Sequence, residues 1–340
     1  MSEGVAMHRF PHGYASGWYQ VGWSGEFGPG AVVPMRYFEQ ELVCFRTESG
    51  QLRISDAFCL HFGAHLGHGG KVEGECIVCP FHGWKWDAEG RNVDIPYSAP
   101  DRMKLRIRHW PVEEVDGLVL LWFGVNGEAP TWPAPRMLPE KTNLEVDYWP
   151  VFPQTCEIWR GLRFPPQVAT ENSGDAAHFH YVHGAASVPD VKEWASGEHW
   201  FSTSFLATFG GHAPTTWATP KGPVEGRIVT TCHGMGLAAG HIESFDDVFT
   251  LASTTPIDRH TSDHRATVWV PKVRGDGSPL DESIRDRWAR QQMHQHTADF
   301  PVWENMTYIA KPPFAATEVR SFHALRQWIE GQYSKSGAPR

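Results

Sequence analysis

Over residues 17–125 the apolar positions come in short runs that read as β-strands. YFEQELVCFRTESGQLRISDAF alternates in part, and Glu48-Ser49-Gly50 has the make-up of a hairpin turn. The longest apolar run, GLVLLWFGV at 117–125, is half a membrane span at most and predicts a buried strand. Prolines 130, 133, 135 and 139 then crowd NGEAPTWPAPRMLPEK, which predicts a domain boundary there. Beyond it, Thr170 to His183 reads as one helix with Gly184 as its C-cap. EGRIVTTCHGMG, DVFTLASTTPID and RATVWVPKV read as strands. In the last, Ala266, Val268 and Val270 alternate with Thr267 and Trp269, the pattern of a half-buried antiparallel strand. From Asp281 onward the period becomes helical. There is no internal repeat and no low-complexity tract.

The 340 residues are enough for two domains. With 41% hydrophobic and 20% charged residues, the chain can bury a sizeable core, which excludes a disordered class. A net charge of −9 without a basic run argues against nucleic-acid or anionic-membrane partners. The N-terminus has no apolar h-region, so the expectation is a soluble, cytoplasmic chain without a membrane span. Six cysteines in a chain of this length do not form a secreted disulfide scaffold, and metal binding is the better expectation for the clustered ones.

The cluster ECIVCPFHGW offers two readings. Cys76 and Cys79 form C-x-x-C, a zinc pattern; Cys79 and His82 form C-x-x-H. Upstream, Cys59-x-His61 supplies a second mixed pair. Two cysteines and two histidines can bind tetrahedral zinc or a 2Fe–2S cluster of Rieske type. Zinc fingers keep cysteines and histidines in separate blocks, whereas here each block mixes the two. Glycines 63, 67, 69, 70 and 83 crowd both loops, so backbone N–H groups can approach the cluster sulfurs. CLHFGAHLGHGGKVEGECIVCPFHGWKWDAEG resembles the Rieske domain of the Rieske non-haem iron oxygenases. The resemblance runs along nearly all of residues 17–125 and implies Cys59, His61, Cys79 and His82 as ligands, with Cys76 a buried bystander. Respiratory-chain Rieske proteins add a cysteine to each loop, and a serine and tyrosine that donate to the cluster. Here Trp84 and Trp86 stand where those hydroxyls would be. The reading is therefore a weakly supported reduced cluster, with a potential near the low end of the Rieske range, about −150 mV. That suits electrons originating from NAD(P)H.

A second constellation follows in ENSGDAAHFHYVHG. Asn172, Asp175 and His178 recur every three residues, one stripe of the predicted helix, and His183 lies at its end. Two imidazoles and a carboxylate with open positions make a facial triad for ferrous iron. Spacing leaves open whether His178 or His180 partners His183. The family resemblance selects His178 and His183, through D-x-x-H-x(4)-H. It implies that Asp175 is no ligand, but links His178 to His82 of a neighbouring subunit in a homotrimer. Asp299, in phase with Ile284, Trp288 and Trp303 on the predicted helix, matches the family's third ligand; His294, His296 and Glu304 are the other candidates. Pro301 is expected to kink that helix near the metal.

GGKVEGECIVCPFHGW, ENSGDAAHFHYVHG and the ending LRQWIEGQY are most similar to 3-ketosteroid 9α-hydroxylase oxygenases and animal cholesterol 7-desaturases. The resemblance implies an α+β architecture. An N-terminal all-β Rieske domain spans 1–130, and a C-terminal catalytic domain of helix-grip type, an antiparallel sheet flanked by helices, spans 131–340. It also implies a Rieske 2Fe–2S cluster and mononuclear Fe(II) as cofactors. A reductase or ferredoxin would be the electron donor, O2 the co-substrate and a polycyclic, steroid-like molecule the substrate, with Asn172 and Asp175 serving the catalytic centre. Competing readings are sterol desaturation, oxidation of an aromatic acid or N-methyl group, and a Rieske electron carrier with a binding domain. Parts of Trp200 to Phe209, together with Trp217, are the expected pocket lining.

Overall fold

The computed structural model describes residues 10, 12–98, 104–185, 187–189, 191–209, 224–243 and 246–335. Its first half is built of strands: β1 (Gly17–Trp23), β2 (Val32–Tyr37), β3 (Gln40–Arg46), β4 (Leu52–Asp56), β5 (Lys71–Glu73), β6 (Cys76–Val78), β7 (Lys85–Trp86), β8 (Asn92–Asp94), β9 (His109–Trp110), β10 (Val112–Val115) and β11 (Leu118–Phe123). They form three sheets, ordered β1-β11-β10, β2-β3-β4-β9 and β5-β6-β7-β8. The apolar run at 117–125 becomes β11, every residue of it buried, and it pairs antiparallel with β1. The predicted turn joins β3 to β4, with the Gly50 N–H donating to the Thr47 carbonyl at 3.0 Å. The small sheet of β5 to β8 has its own core, which includes Ile77, Trp84, Trp86 and Ile107 together with Cys59 and Cys79.

The second half comprises α1 (Leu144–Asp147), β12 (Cys156–Leu162), α2 (Pro166–Asn172), α3 (His178–Tyr181), β13 (Val191–Ser196), β14 (Trp200–Phe209), β15 (Val224–His233), β16 (Leu237–Ile242), β17 (Phe249–Pro256), β18 (Ser262–Trp269), α4 (Glu282–Trp303) and α5 (Val319–Lys335). Seven strands make one antiparallel sheet, ordered β12-β18-β17-β16-β15-β14-β13. Helix α4 packs on β18 and β12, and α5 on α2 and β13, so helices flank the sheet as expected. The Asp281 carboxylate caps α4 by accepting from the Ile284 N–H at 3.1 Å, and the helix continues through Pro301 to Trp303. Among the described residues no helix is long and apolar enough to cross a membrane.

Strand β18 departs from its predicted pattern, because all eight residues are buried. One face meets α4; the other is covered by the first domain. The Trp23 indole N–H donates to Thr267 Oγ1 and the Trp269 indole N–H to the Asp116 carbonyl, each at 2.9 Å. The buried Arg265 guanidinium donates to the Gln20 and Val21 carbonyls at 3.0 and 3.2 Å. Trp18, Leu118, Leu120 and Trp122 share a core with Leu237, Leu251 and Trp269, which joins the two halves across the proline-rich segment. Alternation along one strand shows only that one face is apolar. What covers the polar face is a property of the partner domain.

Candidate active site

Two loops on the small sheet share one backbone device. Gly63 donates its N–H to the Cys59 carbonyl at 2.9 Å, and Gly83 to the Cys79 carbonyl at 3.0 Å. Both glycines sit at φ +71°, which other residues adopt only with strain. Each loop therefore curls over its own cysteine. Cys59 and Cys79 are buried together, and burial, reinforced by the Cys79 sulfur, pushes the Cys59 thiol up. The His61 and His82 rings lie 4.8 Å apart, and the buried Nδ1 atom of each has no hydrogen-bond partner. Trp84 stacks flat on His61 at 4.3 Å and donates its indole N–H to the Tyr97 hydroxyl at 2.8 Å. Two sulfurs and two unpartnered imidazole nitrogens converging from adjacent loops fit a 2Fe–2S cluster with mixed ligation. Cys76, on β6, is half-buried and lies outside this core.

The predicted helix over 170–183 is two pieces. Helix α2 stops at Asn172 and α3 begins at His178. Asp175 divides them: its Oδ1 accepts from the N–H groups of Ala177 at 2.9 Å and His178 at 3.2 Å, standing in for helical carbonyls. Helix α3 stops at Tyr181 with Val182 as its C-cap, two residues short of the predicted Gly184; Gly184, at φ +69°, turns the chain beyond it, and the Ala185 N–H reaches back to the Phe179 carbonyl at 2.8 Å. Asn172, Asp175 and His178 therefore do not form a helical stripe. The break instead folds Asn172 towards His178, with Asn172 Nδ2 3.2 Å from His178 Nε2.

His178, His183 and Asp299 form the group that could hold a metal, with candidate ligand atoms all within 4.8 Å of one another. His183 Nε2 lies 3.5 Å from Asp299 Oδ1, and the His178 and His183 rings are 4.9 Å apart. His178 Nδ1 donates to the Asp175 backbone carbonyl, which leaves Nε2 for the site. Asp175 Oδ2 stands 3.9 Å from the same Nδ1, so within this chain the carbonyl, not the carboxylate, is the closer partner. Burial pushes the His178 imidazole down, towards the neutral form a metal requires. A buried carboxylate between imidazoles calls for a cation, and the donor set fits ferrous iron.

The other candidates separate cleanly. His294 is exposed, and Glu304 accepts from the Arg163 backbone N–H at 3.1 Å. His296 is buried, but turns to His264, Nδ1 to Nε2 at 3.1 Å, and Thr254 Oγ1 extends the chain at 2.9 Å from His264 Nδ1. His180, the open alternative, holds the Ala185 carbonyl through Nδ1 at 2.6 Å. Sequence reasoning missed Gln292 and Gln295, which face the site with His296 and Asp299. Their spacing on α4, at intervals of three and four residues, is the signal that could have found them.

A cavity opens at these ligands. Its floor is the sheet, where rows of paired residues stay small: Thr230, Gly240 and Thr250 in one row, Ala238 and Ala252 in the next. A Cβ on Gly240 would stand 2.6 Å from Thr250 Oγ1. Of the expected lining on β14, only Ala207 and Thr208 reach the cavity. Phe201 and Phe205 pack into separate cores, and Trp200 is substantially exposed. Trp217 lies outside the described residues.

Comparison with known proteins agrees with both centres. Residues 17–114 match the family of Rieske 2Fe-2S domains, and residues 121–333 match the 3-Ketosteroid 9alpha-hydroxylase C-terminal domain. The chain is 28% identical to a probable 3-ketosteroid-9-alpha-monooxygenase, oxygenase component, of Rhodococcus rhodochrous, over 95% of its own length and 81% of that protein. It is 33% identical to a cholesterol 7-desaturase of Bombyx mori, over 96% of its length and 71% of that protein. Among solved structures, dicamba monooxygenase bound to dicamba shares the fold with a TM-score of 0.69 at 17% identity, covering 96% of this chain and 99% of that one.

Proposed function

The chain belongs to the Rieske non-haem iron oxygenases, in the group that carries the 3-ketosteroid 9alpha-hydroxylase C-terminal domain, and from that premise we propose that it hydroxylates a steroid-like substrate. It would act in the cytoplasm as the oxygenase component, with a reductase or ferredoxin relaying electrons from NAD(P)H. Cys59, His61, Cys79 and His82 would hold the 2Fe–2S cluster, and His178, His183 and Asp299 the ferrous iron. Bound there, the cluster supplies electrons singly and the mononuclear iron supplies O2 chemistry.

The observation that carries the substrate class is the cavity beside His178, His183 and Asp299. The alanine, glycine and threonine rows on the sheet leave a mostly apolar floor of small side chains that suits fused rings. Asn172, Gln292 and Gln295 offer neutral polar groups in its lining. No lysine or arginine lines it among the described residues, which argues against an aromatic acid, whose carboxylate would need a cation. The 33% identity to a cholesterol 7-desaturase favours a second reading on the same substrate class, removal of two hydrogens in place of hydroxylation.

The assembly belongs to the same reading: a homotrimer in which Asp175 of one subunit accepts a hydrogen bond from His82 of the next. Asp175 keeps part of its carboxylate at the surface, and Tyr181 at the end of α3 is 78% exposed. At the other end, Phe62 and Phe81 next to the cluster histidines are 73% and 62% exposed. Apolar groups left open at both centres suit two faces that cover each other. The test is aerobic turnover of a panel of 3-oxo and 3-hydroxy steroids with a surrogate reductase, analysed by mass. A product heavier by one oxygen supports hydroxylation, and one lighter by two hydrogens supports the second reading. Binding and oxidation of benzoate-like acids, with no response to steroids, would overturn the substrate class.

A further inference from the structure

His296 is buried beside the iron ligands and lines the cavity, yet it has no place in the ligand set. It stands one turn before Asp299 on α4, on the same face. Behind it runs a buried chain of two further polar groups. His296 Nδ1 lies 3.1 Å from His264 Nε2, and His264 Nδ1 lies 2.9 Å from Thr254 Oγ1. The rings of Trp159, Phe164, Phe300 and Trp303 pack around His264, so the chain runs through an aromatic core. Its inner end is the buried Thr254, whose hydroxyl has no partner among the described residues except His264. Its outer end is His296 Nε2, 3.4 Å from the Gln292 amide in the cavity lining.

The closed end sets the direction of the protons. If the Thr254 hydroxyl accepted from His264, its own proton would be buried without an acceptor, which costs more than an unused lone pair. Donating instead, it leaves the His264 proton on Nε2, and that proton goes to His296 Nδ1. Burial pushes the His264 imidazole well down, with His296 and Arg265 adding to the effect, so the ring keeps a single proton. His296 then carries its own proton on Nε2, on the side of the cavity. The two ends of an amide exchange by rotation. Gln292 can therefore accept from Nε2 in the absence of ligand, or turn its NH2 group to the same ligand oxygen. The geometry points to His296 as the donor that receives a ketone oxygen of the substrate, with His264 and Thr254 as positioning residues that hold it in the donating form. The inference rests on the proposed steroid-like substrate and deepens it, by naming the group on the ligand that this end of the cavity recognises. A ketone oxygen accepts and cannot donate, which matches a site whose donor is fixed from behind.

The test uses two probes that differ in one oxygen, 5α-androstan-3-one and 5α-androstane, with binding to the metal-loaded protein measured by calorimetry. His296→Phe removes the donor and keeps a ring in its place. The preference for the ketone, its affinity relative to the alkane, should fall about three- to tenfold, the usual effect of losing one hydrogen bond. His296→Gln retains an N–H and should keep more of that preference. Thr254→Val removes only the hydroxyl that fixes the tautomers and should lower the preference as well, with both metals still bound. With a 13C label on the ketone carbon, the infrared carbonyl stretch of the bound probe should rise in His296→Phe, a shift that a packing role alone would not produce. A wild-type preference and an unshifted stretch in His296→Phe overturn the proposal. If that variant does not fold, Thr254→Val decides the matter, and an unchanged preference there overturns the proposal. Failure of the substrate reading would appear separately, as wild-type protein that binds neither probe, and the donor role would fall with it.

Discussion

His183 Nε2 and Asp299 Oδ1 face each other at 3.5 Å, one at the end of a short broken helix, the other near the end of the 22-residue α4. Both side chains are buried, and His178 completes the group. Asp299→Ala and His183→Ala should each lose the mononuclear iron and reduce turnover below detection. Metal analysis should find acid-labile sulfide unchanged, and the Rieske EPR signal should persist, because the cluster loops sit on the small sheet while the iron ligands come from α3, the turn after it, and α4. Full activity in Asp299→Ala would mean that another carboxylate is the ligand.

The cluster loops predict an asymmetry between neighbouring residues. His82→Ala removes one of the converging nitrogens and should abolish the reduced-state Rieske signal. Cys76→Ser alters a half-buried side chain outside the cluster's core and should leave that signal intact. Stoichiometric zinc without acid-labile sulfide in the wild-type protein would contradict both expectations.

Much of this site was legible in the sequence because its chemistry is local. The Cys-x-His and Cys-x-x-His pairs each sit in one tight loop, and the glycine that closes each loop is visible four residues after its cysteine. Asp299 could be phased with Trp288 because one uninterrupted helix joins them. The break after Asn172 was not legible. Helix period and an Asp175 cap compete over the same residues, and only the packed fold shows that the cap prevails. The cavity floor was equally hidden, since Thr230, Gly240 and Thr250 become neighbours only through the pairing of three strands.

That floor predicts a size limit. Gly240→Val would drive side-chain atoms against Thr250 Oγ1, which stands 2.6 Å from where a Cβ would be, and push bulk into the cavity floor. The added bulk should weaken binding of a polycyclic substrate by about 1–3 kcal/mol, roughly 5- to 160-fold in Kd. Both metal centres should stay loaded. Unchanged affinity for the best steroid would place the ligand elsewhere in the cavity.

Buried histidines predict acid sensitivity. Burial holds His233 down to about 4, and His109 likewise, where Arg53 and Arg106 add to the effect and Asp87 opposes it. In the unfolded chain these groups protonate near 6.5. Between the two values the unfolded state therefore binds more protons, and stability falls as pH falls. Each such histidine contributes a slope of about 1.4 kcal/mol per pH unit across that window. Guanidinium unfolding at pH 7, 6 and 5 should show the decline, and His233→Asn should make it shallower. An identical slope in wild type and variant would remove His233 from the account.

Asp175 sits where two roles meet. Its Oδ1 starts α3 by accepting from the Ala177 and His178 N–H groups, while Oδ2 stands free of that turn on a partly exposed side chain. The ring contacts of His82 are with Phe62, Phe81, Tyr97 and His61, and those of His178 with Phe179 and His183. The two imidazoles thus belong to separate aromatic groups within one chain, and in the proposed trimer a neighbouring subunit would bring them together. Asp175→Asn keeps the oxygen that starts α3 and removes only the charge. It should leave both metals bound and the trimer whole while slowing electron transfer on the order of a hundredfold, as expected when a charged hydrogen bond becomes a neutral one. The stringent test co-expresses two inactive variants, His82→Ala and His183→Ala. In a mixed trimer an intact cluster on one chain can stand beside an intact iron site on the next, so activity should partly return. Mixed trimers that form and remain inactive would show that electrons do not cross the subunit boundary, and Asp175 would then be a helix cap and nothing more.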